Sequence, residues 1–63
     1  MDYRARVLCI DDEPGVIELV SLILKSQNIL VEGAESGGEG LKAMRLNPPD
    51  AVLLDIMMPE IDG

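Results

Sequence analysis

Three short apolar runs without polar alternation set the strongest limit on how this chain can fold. Arg6-Val7-Leu8-Cys9-Ile10 stops abruptly at Asp11-Asp12-Glu13. Ile29-Leu30-Val31 follows Gln27-Asn28, a helix stop in which Asn28 can take the left-handed conformation. Ala51-Val52-Leu53-Leu54-Asp55-Ile56 follows the breakers Asn47-Pro48-Pro49 and Asp50. Runs of this length and composition read as strands, and the lack of alternation suits strands buried on both faces of a parallel sheet.

The intervening segments carry helical signals. Pro14 sits where a first helical turn tolerates its fixed φ and missing N–H. From Gly15 to Ser26, the residues Val16, Leu19, Val20, Ile23 and Leu24 recur at helical spacing, with Glu18 and Lys25 off that stripe. Ile17 and Leu22 also fall outside it, so this helix is apolar over more of its circumference than one packing face needs. Ala34-Glu35-Ser36-Gly37-Gly38 is turn-rich and leads into a second helix over Glu39 to Leu46, with Leu41, Met44 and Ala43 expected to face inward. Gly40 costs that helix about 1 kcal/mol relative to alanine, which predicts that it frays more than the first. The order is β-α-β-α-β with short connections, an α/β arrangement with a parallel sheet and right-handed crossovers.

Composition narrows the function. The 63 residues include a single aromatic side chain, Tyr3, so the core is aliphatic. A chain this short buries only about 60% of its unfolded surface, which puts its stability in question. The formal charge is −7, and Arg4, Arg6, Lys25, Lys42 and Arg45 form no continuous patch in the sequence, which argues against direct nucleic-acid binding. The lone cysteine, Cys9, excludes an intrachain disulfide and reads as a small buried hydrophobe. No apolar run approaches the ~20 residues of a membrane span and the N-terminus lacks a signal-peptide plan, so a cytoplasmic protein is expected.

The acids carry the chemistry. In open parallel sheets, ligands bind outside the carboxyl ends of strands, and there Asp11 and Asp12 end the first run while Asp55 nears the end of the third. Three carboxylates at one sheet edge repel one another unless a cation or a proton intervenes, and a hard divalent ion such as Mg²⁺ suits oxygen donors. The alternative for Asp11-Asp12-Glu13 is stabilisation of a helix N-terminus, where acids favour the macrodipole. Both readings of the pair stand at this level. Asp55 is harder to explain away, because an aspartate among apolar strand residues must be solvated, paired or functional.

Taken together, Val7-Leu8-Cys9-Ile10-Asp11-Asp12-Glu13-Pro14, Ala34-Glu35-Ser36-Gly37-Gly38-Glu39 and the stretch from Pro49 through Asp55 to Gly63 resemble the first half of receiver domains of two-component signalling. The resemblance runs along essentially the whole chain in order and spacing. It implies a flavodoxin-like receiver fold with parallel strands in the order 2-1-3. It also implies that Asp55 accepts a phosphoryl group from a sensor histidine kinase or phosphotransfer protein. Mg²⁺ would be held by Asp12 directly, Asp11 through water, Asp55 and the backbone carbonyl of Met57. Pro59 and Gly63 would shape the loop that carries that carbonyl. The expected entity is a phosphoacceptor signalling domain, not an enzyme in its own right.

The resemblance also sets an expectation about extent: residues 1–63 would be a partial receiver domain, with three of five strands, stopping in the loop after the third. The family's fourth-strand hydroxyl residue and fifth-strand lysine have no counterpart here. In the order 2-1-3, the Val52-Leu53-Leu54 edge of the third strand would be unpaired, and an open apolar edge invites self-association. The competing reading is a fragment without phosphotransfer that persists by self-association or by pairing with a complementary half.

Overall fold

The computed structural model describes residues 2–55. They form β1 (Ala5–Ile10), α1 (Pro14–Lys25), β2 (Ile29–Ala34), α2 (Gly37–Leu46) and β3 (Ala51–Leu54), with the strands parallel in the order β2-β1-β3. Element order and strand order both match the sequence expectation. Met57, Pro59 and Gly63, and the Ile56 end of the third run, lie outside the described residues.

β1 is the central strand and supplies most of the core. Val7, Leu8, Cys9 and Ile10 are all buried, and Leu8 is the most completely enclosed of them. Side chains of a strand alternate between faces, so β1 feeds two separate layers. Leu8 and Ile10 join Ala34 beneath α2, where Ala43 and Met44 close the cluster. Val7 and Cys9 point to the other face, towards α1.

Two glycines set how closely the helices approach. Gly33 of β2 pairs with Cys9 of β1, and a Cβ at Gly33 would lie 2.6 Å from Cγ2 of Ile17. That opening receives Ile17 and fixes the rotation of α1. The helix rests on the sheet through the half-buried Ile17, Val20, Ser21 and Leu24. Val16, Leu19 and Ile23, expected inward from their spacing, are exposed instead. On the other face Gly40 is the buried residue of α2, because a Cβ there would collide with Cδ1 and Cγ1 of Ile10. Gly40 is thus a close-approach residue as well as a weak helix former. Leu41, also expected inward, is exposed, and Ala43 and Met44 carry the contact.

Element boundaries depart from the sequence reading where tertiary contacts overrule local preference. β2 runs three residues past Val31, because Glu32, Gly33 and Ala34 continue in register with Leu8, Cys9 and Ile10. α2 starts at Gly37, since Ser36 is its N-cap and its hydroxyl accepts from the Glu39 N–H at 3.2 Å. Ser36 and Glu39 have the spacing of a capping box. Asn28 adopts φ 63°, as its place after α1 predicted, and its side-chain amide donates to the Asp2 carbonyl at 2.9 Å.

β3 pairs with β1 along its length, and a clamp fixes its start. The Arg6 N–H donates to Asp50 Oδ2 at 2.7 Å, and the Asp50 N–H donates to the Arg6 carbonyl at 2.8 Å. Beyond that clamp neither helix packs on β3 as it does on β1 and β2. Val52, Leu53 and Leu54 remain 40, 44 and 46% exposed. Among the described residues β3 is therefore an apolar edge strand, as the strand order implied.

The contact between Gly40 and Ile10 yields a stability test. Gly40→Ala gains about 1 kcal/mol in helix propensity but overpacks Ile10 by about 1 to 3 kcal/mol. We expect a net loss of about 1 kcal/mol. With Ile10→Val, which removes Cδ1 but keeps Cγ1, the same substitution should cost less than in the parent. Urea midpoints of the two single variants and the double variant check this, and strict additivity would show that the two positions do not touch.

Candidate functional site

The parallel pairing of β1 with β3 brings two strand ends to one point. Ile10 is in register with Leu54, so the following residues, Asp11 and Asp55, emerge side by side. The Asp55 N–H extends the ladder to the Ile10 carbonyl at 3.0 Å, and the Asp11 N–H reaches the Ala34 carbonyl at 3.0 Å. Backbone bonds to the two flanking strands therefore fix where both aspartates start.

Asp11 is buried, Asp55 is half-buried and Asp12 is exposed. One carboxylate oxygen from each lies within 4.8 Å of the others. Asp11 is constrained by the helix start, since its Oδ1 accepts the Glu13 N–H at 2.9 Å. Glu13 is the N-cap of α1, and its own side chain makes no capping bond. The first turn of α1 contains no acid. The helix-terminus reading thus holds in part: Asp11 serves the backbone at the helix start, while its carboxylate also belongs to the cluster. Glu13 is not among the clustered residues.

Unit charges at about 4 Å repel by about 1 kcal/mol in water and about 4 kcal/mol at an effective dielectric of 20. A cation removes that cost. The donor set is all oxygen, which fits Mg²⁺ or Ca²⁺ and not a soft metal. Mg²⁺ bonds of about 2.1 Å put neighbouring ligand oxygens about 3 Å apart and opposed ones about 4 Å apart. The three carboxylate oxygens, all within 4.8 Å of one another, are close enough to face one cation. The Met57 carbonyl, expected as a further ligand, lies outside the described residues.

Cys9, in β1 two residues before Asp11, is buried. Burial pushes its thiol pKa up, and the Asp11 carboxylate adds to the shift. It is an inert core thiol, in keeping with its apolar neighbours. Two supports of the site were not singled out from sequence as such: Asp50, which clamps the start of β3, and Gly33, which seats α1. The signal for Asp50 is its place between the Pro48-Pro49 break and the strand, and Gly33 carries no local signal at all. No helix among the described residues is long and apolar enough to cross a membrane.

Comparison with known proteins points one way. The family model for the response regulator receiver domain matches residues 7–63. The transcriptional regulatory protein GlrR of Escherichia coli (strain K12) is 42% identical over 59 residues, which is 94% of this chain and 13% of that protein. Protein PilH of Pseudomonas aeruginosa is 39% identical over 59 residues, 94% of this chain and 49% of that protein. Among solved structures, the N-terminal domain of a response regulator receiver protein from Methanoculleus marisnigri JR1 superposes with a TM-score of 0.86 at 38% identity, covering 89% of this chain and 46% of that one. The chain thus spans half or less of the length of these relatives.

Two outcomes follow from the electrostatics. In the absence of divalent ions, Asp12→Asn should stabilise the chain by a few tenths to about 1 kcal/mol, because it relieves like-charge repulsion. Urea melts in the presence of a chelator check this, and a loss of stability would mean that Asp12 is not repelled by its neighbours. For Cys9, whose folded pKa is raised, the stability from burying the neutral thiol is fully present below about 8.5. It is lost as pH rises from there through the folded value. Relative to Cys9→Ala, the parent chain should lose stability across that alkaline window, and parallel pH profiles would contradict the assignment.

Proposed function

Because the chain belongs to the response regulator receiver domains, we propose that it is the phosphoacceptor half of such a domain, with Asp55 as the residue that receives the phosphoryl group. Receiver domains are signalling phosphoacceptors, phosphorylated by histidine kinases, and are not classical enzymes. The observation that carries the assignment is the meeting of Asp11, Asp12 and Asp55 at the ends of two paired strands. The donor would be a sensor histidine kinase or a phosphotransfer protein, and the compartment the cytoplasm.

Each acid then has a distinct task. An oxygen of the Asp55 carboxylate attacks phosphorus as a nucleophile. The bond from phosphorus to the donor's imidazole nitrogen breaks, its electron pair stays on that nitrogen, and an acyl phosphate results. Asp12, exposed at the mouth, would hold Mg²⁺ together with Asp55. Asp11, fixed by the Glu13 amide, would act through a water. When bound, Mg²⁺ supplies charge neutralisation and alignment of the transferring group. The Met57 carbonyl would complete the protein's ligands, and Pro59 with Gly63 would shape its loop.

A second reading has one specific observation in its favour. β3, which ends just before Asp55, has no helix packed on it as β1 and β2 have among the described residues, and its apolar residues are close to half exposed. On that reading the chain does not transfer phosphoryl groups, and persists by self-association along the β3 edge or by pairing with a complementary half.

Intact mass after incubation with acetyl phosphate and Mg²⁺ separates the two. The phosphoacceptor reading predicts a single added phosphoryl group that is absent in Asp55→Asn and absent without Mg²⁺. Labelling that persists in Asp55→Asn, or that maps to Asp11, contradicts it. No labelling at all in a folded chain favours the second reading.

A further inference from the structure

The four residues of β3, Ala51-Val52-Leu53-Leu54, are all apolar. A slip of one residue against β1 exchanges one apolar side chain for another, so the hydrophobic pattern of β3 does not select its own register. The same slip moves Asp55 by about 3.3 Å along the sheet and turns its side chain to the other face. A cation with bonds of about 2.1 Å is out of reach at that offset. What selects the observed register lies at the opposite end of the strand, about 17 Å from Asp55.

Arg6 is the anchor there. Its N–H donates to Asp50 Oδ2 at 2.7 Å, its carbonyl accepts the Asp50 N–H at 2.8 Å, and its guanidinium Nη2 donates to the Asn47 carbonyl at 2.5 Å. Asn47 is the C-cap of α2, so one residue of β1 grips both ends of the α2–β3 connection. Between those ends stand Pro48 and Pro49, whose rings fix φ and take freedom out of the segment. The side-chain bond is the one that reads register. Pro49 and Ala51, which would take the place of Asp50 after a slip in either direction, carry no side-chain acceptor, and Pro49 has no N–H to donate.

We propose that Asp50 is a positioning residue for the acidic cluster: its carboxylate sets the register of β3 and thereby the place where Asp55 meets Asp11 and Asp12. For phosphoryl transfer this rests on the assignment of Asp55 above, whereas for cation binding it rests on the cluster alone. The role is geometric. About 17 Å is twice the Debye length of about 8 Å at physiological salt, so the charge of Asp50 is screened from the site. An amide oxygen at the same reach serves as well as a carboxylate.

Substitutions at this one position separate geometry from charge. Asp50→Asn keeps an acceptor oxygen and loses the charge, Asp50→Glu keeps the charge and lengthens the arm by a methylene, and Asp50→Ala removes the acceptor. In the 63-residue chain, backbone NOEs report whether Ile10 still faces Leu54. Mn²⁺ titration, with the folded fraction taken from circular dichroism, gives the affinity of the folded chain. Asp50→Asn should keep the register and bind Mn²⁺ within about twofold of the parent. Asp50→Ala and Asp50→Glu should bind roughly tenfold more weakly, at the low end of what disturbed supporting groups cost a metal site, with acetyl phosphate labelling slowed in step. Leu24→Ala, which lowers stability at the end of α1 remote from the acids, should leave the affinity of the folded chain unchanged.

Parent-like register and affinity in Asp50→Ala and Asp50→Glu would overturn the proposal. So would a loss in Asp50→Asn equal to that in Asp50→Ala, or a loss of the same size in Leu24→Ala. Unfolding of both Asp50→Ala and Asp50→Glu would overturn it too, because Asp50 would then be required by the fold as a whole, as would a parent chain that takes up no Mn²⁺. If the cation series holds and no chain is labelled, the phosphoacceptor assignment fails and the positioning role of Asp50 stands.

Discussion

The backbone ladder of β1 to both of its neighbours is the interaction on which the rest depends. It buries four consecutive residues, Val7 to Ile10, and splits their side chains between two helical layers. It also sets the register that ends β1 and β3 together. Asp11 and Asp55 are adjacent only because Ile10 pairs with Leu54. A slip of one residue would turn Cys9 and Ile10 to the opposite faces and move the aspartates apart. The register is in turn fixed by Asp50, which engages both the N–H and the carbonyl of Arg6. The acid at the start of β3 thus determines where the acid after its end arrives.

Burial and charge are in tension at that edge. The sheet gains by enclosing Ile10 and Ala34 next to the site, yet the chain then emerges as three carboxylates. Asp11 is tolerated because it accepts a backbone N–H at the start of α1, which satisfies the carboxylate and the amide together. Asp12 is relieved by solvent. The backbone thus fixes where the acidic cluster forms, and its all-oxygen donors suit a hard divalent cation. The same economy of core leaves β3 and one sector of α1 apolar and exposed. In most parallel α/β proteins the faces of such strands are covered by helices.

Much of this was legible in the sequence, for definite reasons. Unbroken apolar runs that end in acids mark parallel strands, although among the described residues only β1 is buried as such runs suggest, and Asn28 in the left-handed region follows from its place after a helix. Each aspartate was visible as the end of a run. Their place at one sheet edge was legible too, from the carboxyl ends of parallel strands, but that β1 and β3 are neighbours depends on the strand order 2-1-3, which came with the family resemblance and not from periodicity. The facing of α1 was misread because two overlapping stripes, one through Ile17 and one through Leu19, fit the same spacing. The choice between them is made by Gly33, a missing side chain on another element. Gly40 was read only in part for a similar reason: local propensity records its cost to the helix but not the Ile10 side chain it makes room for. The start of α2 was legible in principle, through the spacing of Ser36 and Glu39.

The central claim is that Asp11, Asp12 and Asp55 form one cation site built by the paired ends of β1 and β3. Paramagnetic broadening by Mn²⁺, followed on the backbone amides by NMR, tests it most directly. The account predicts saturable broadening strongest at Asp11, Asp12 and Asp55, reversed by excess Mg²⁺ and lost at all three in Asp12→Asn. Broadening spread evenly over surface acids such as Glu18, Glu35 and Glu39, or confined to Asp12 alone, would contradict it.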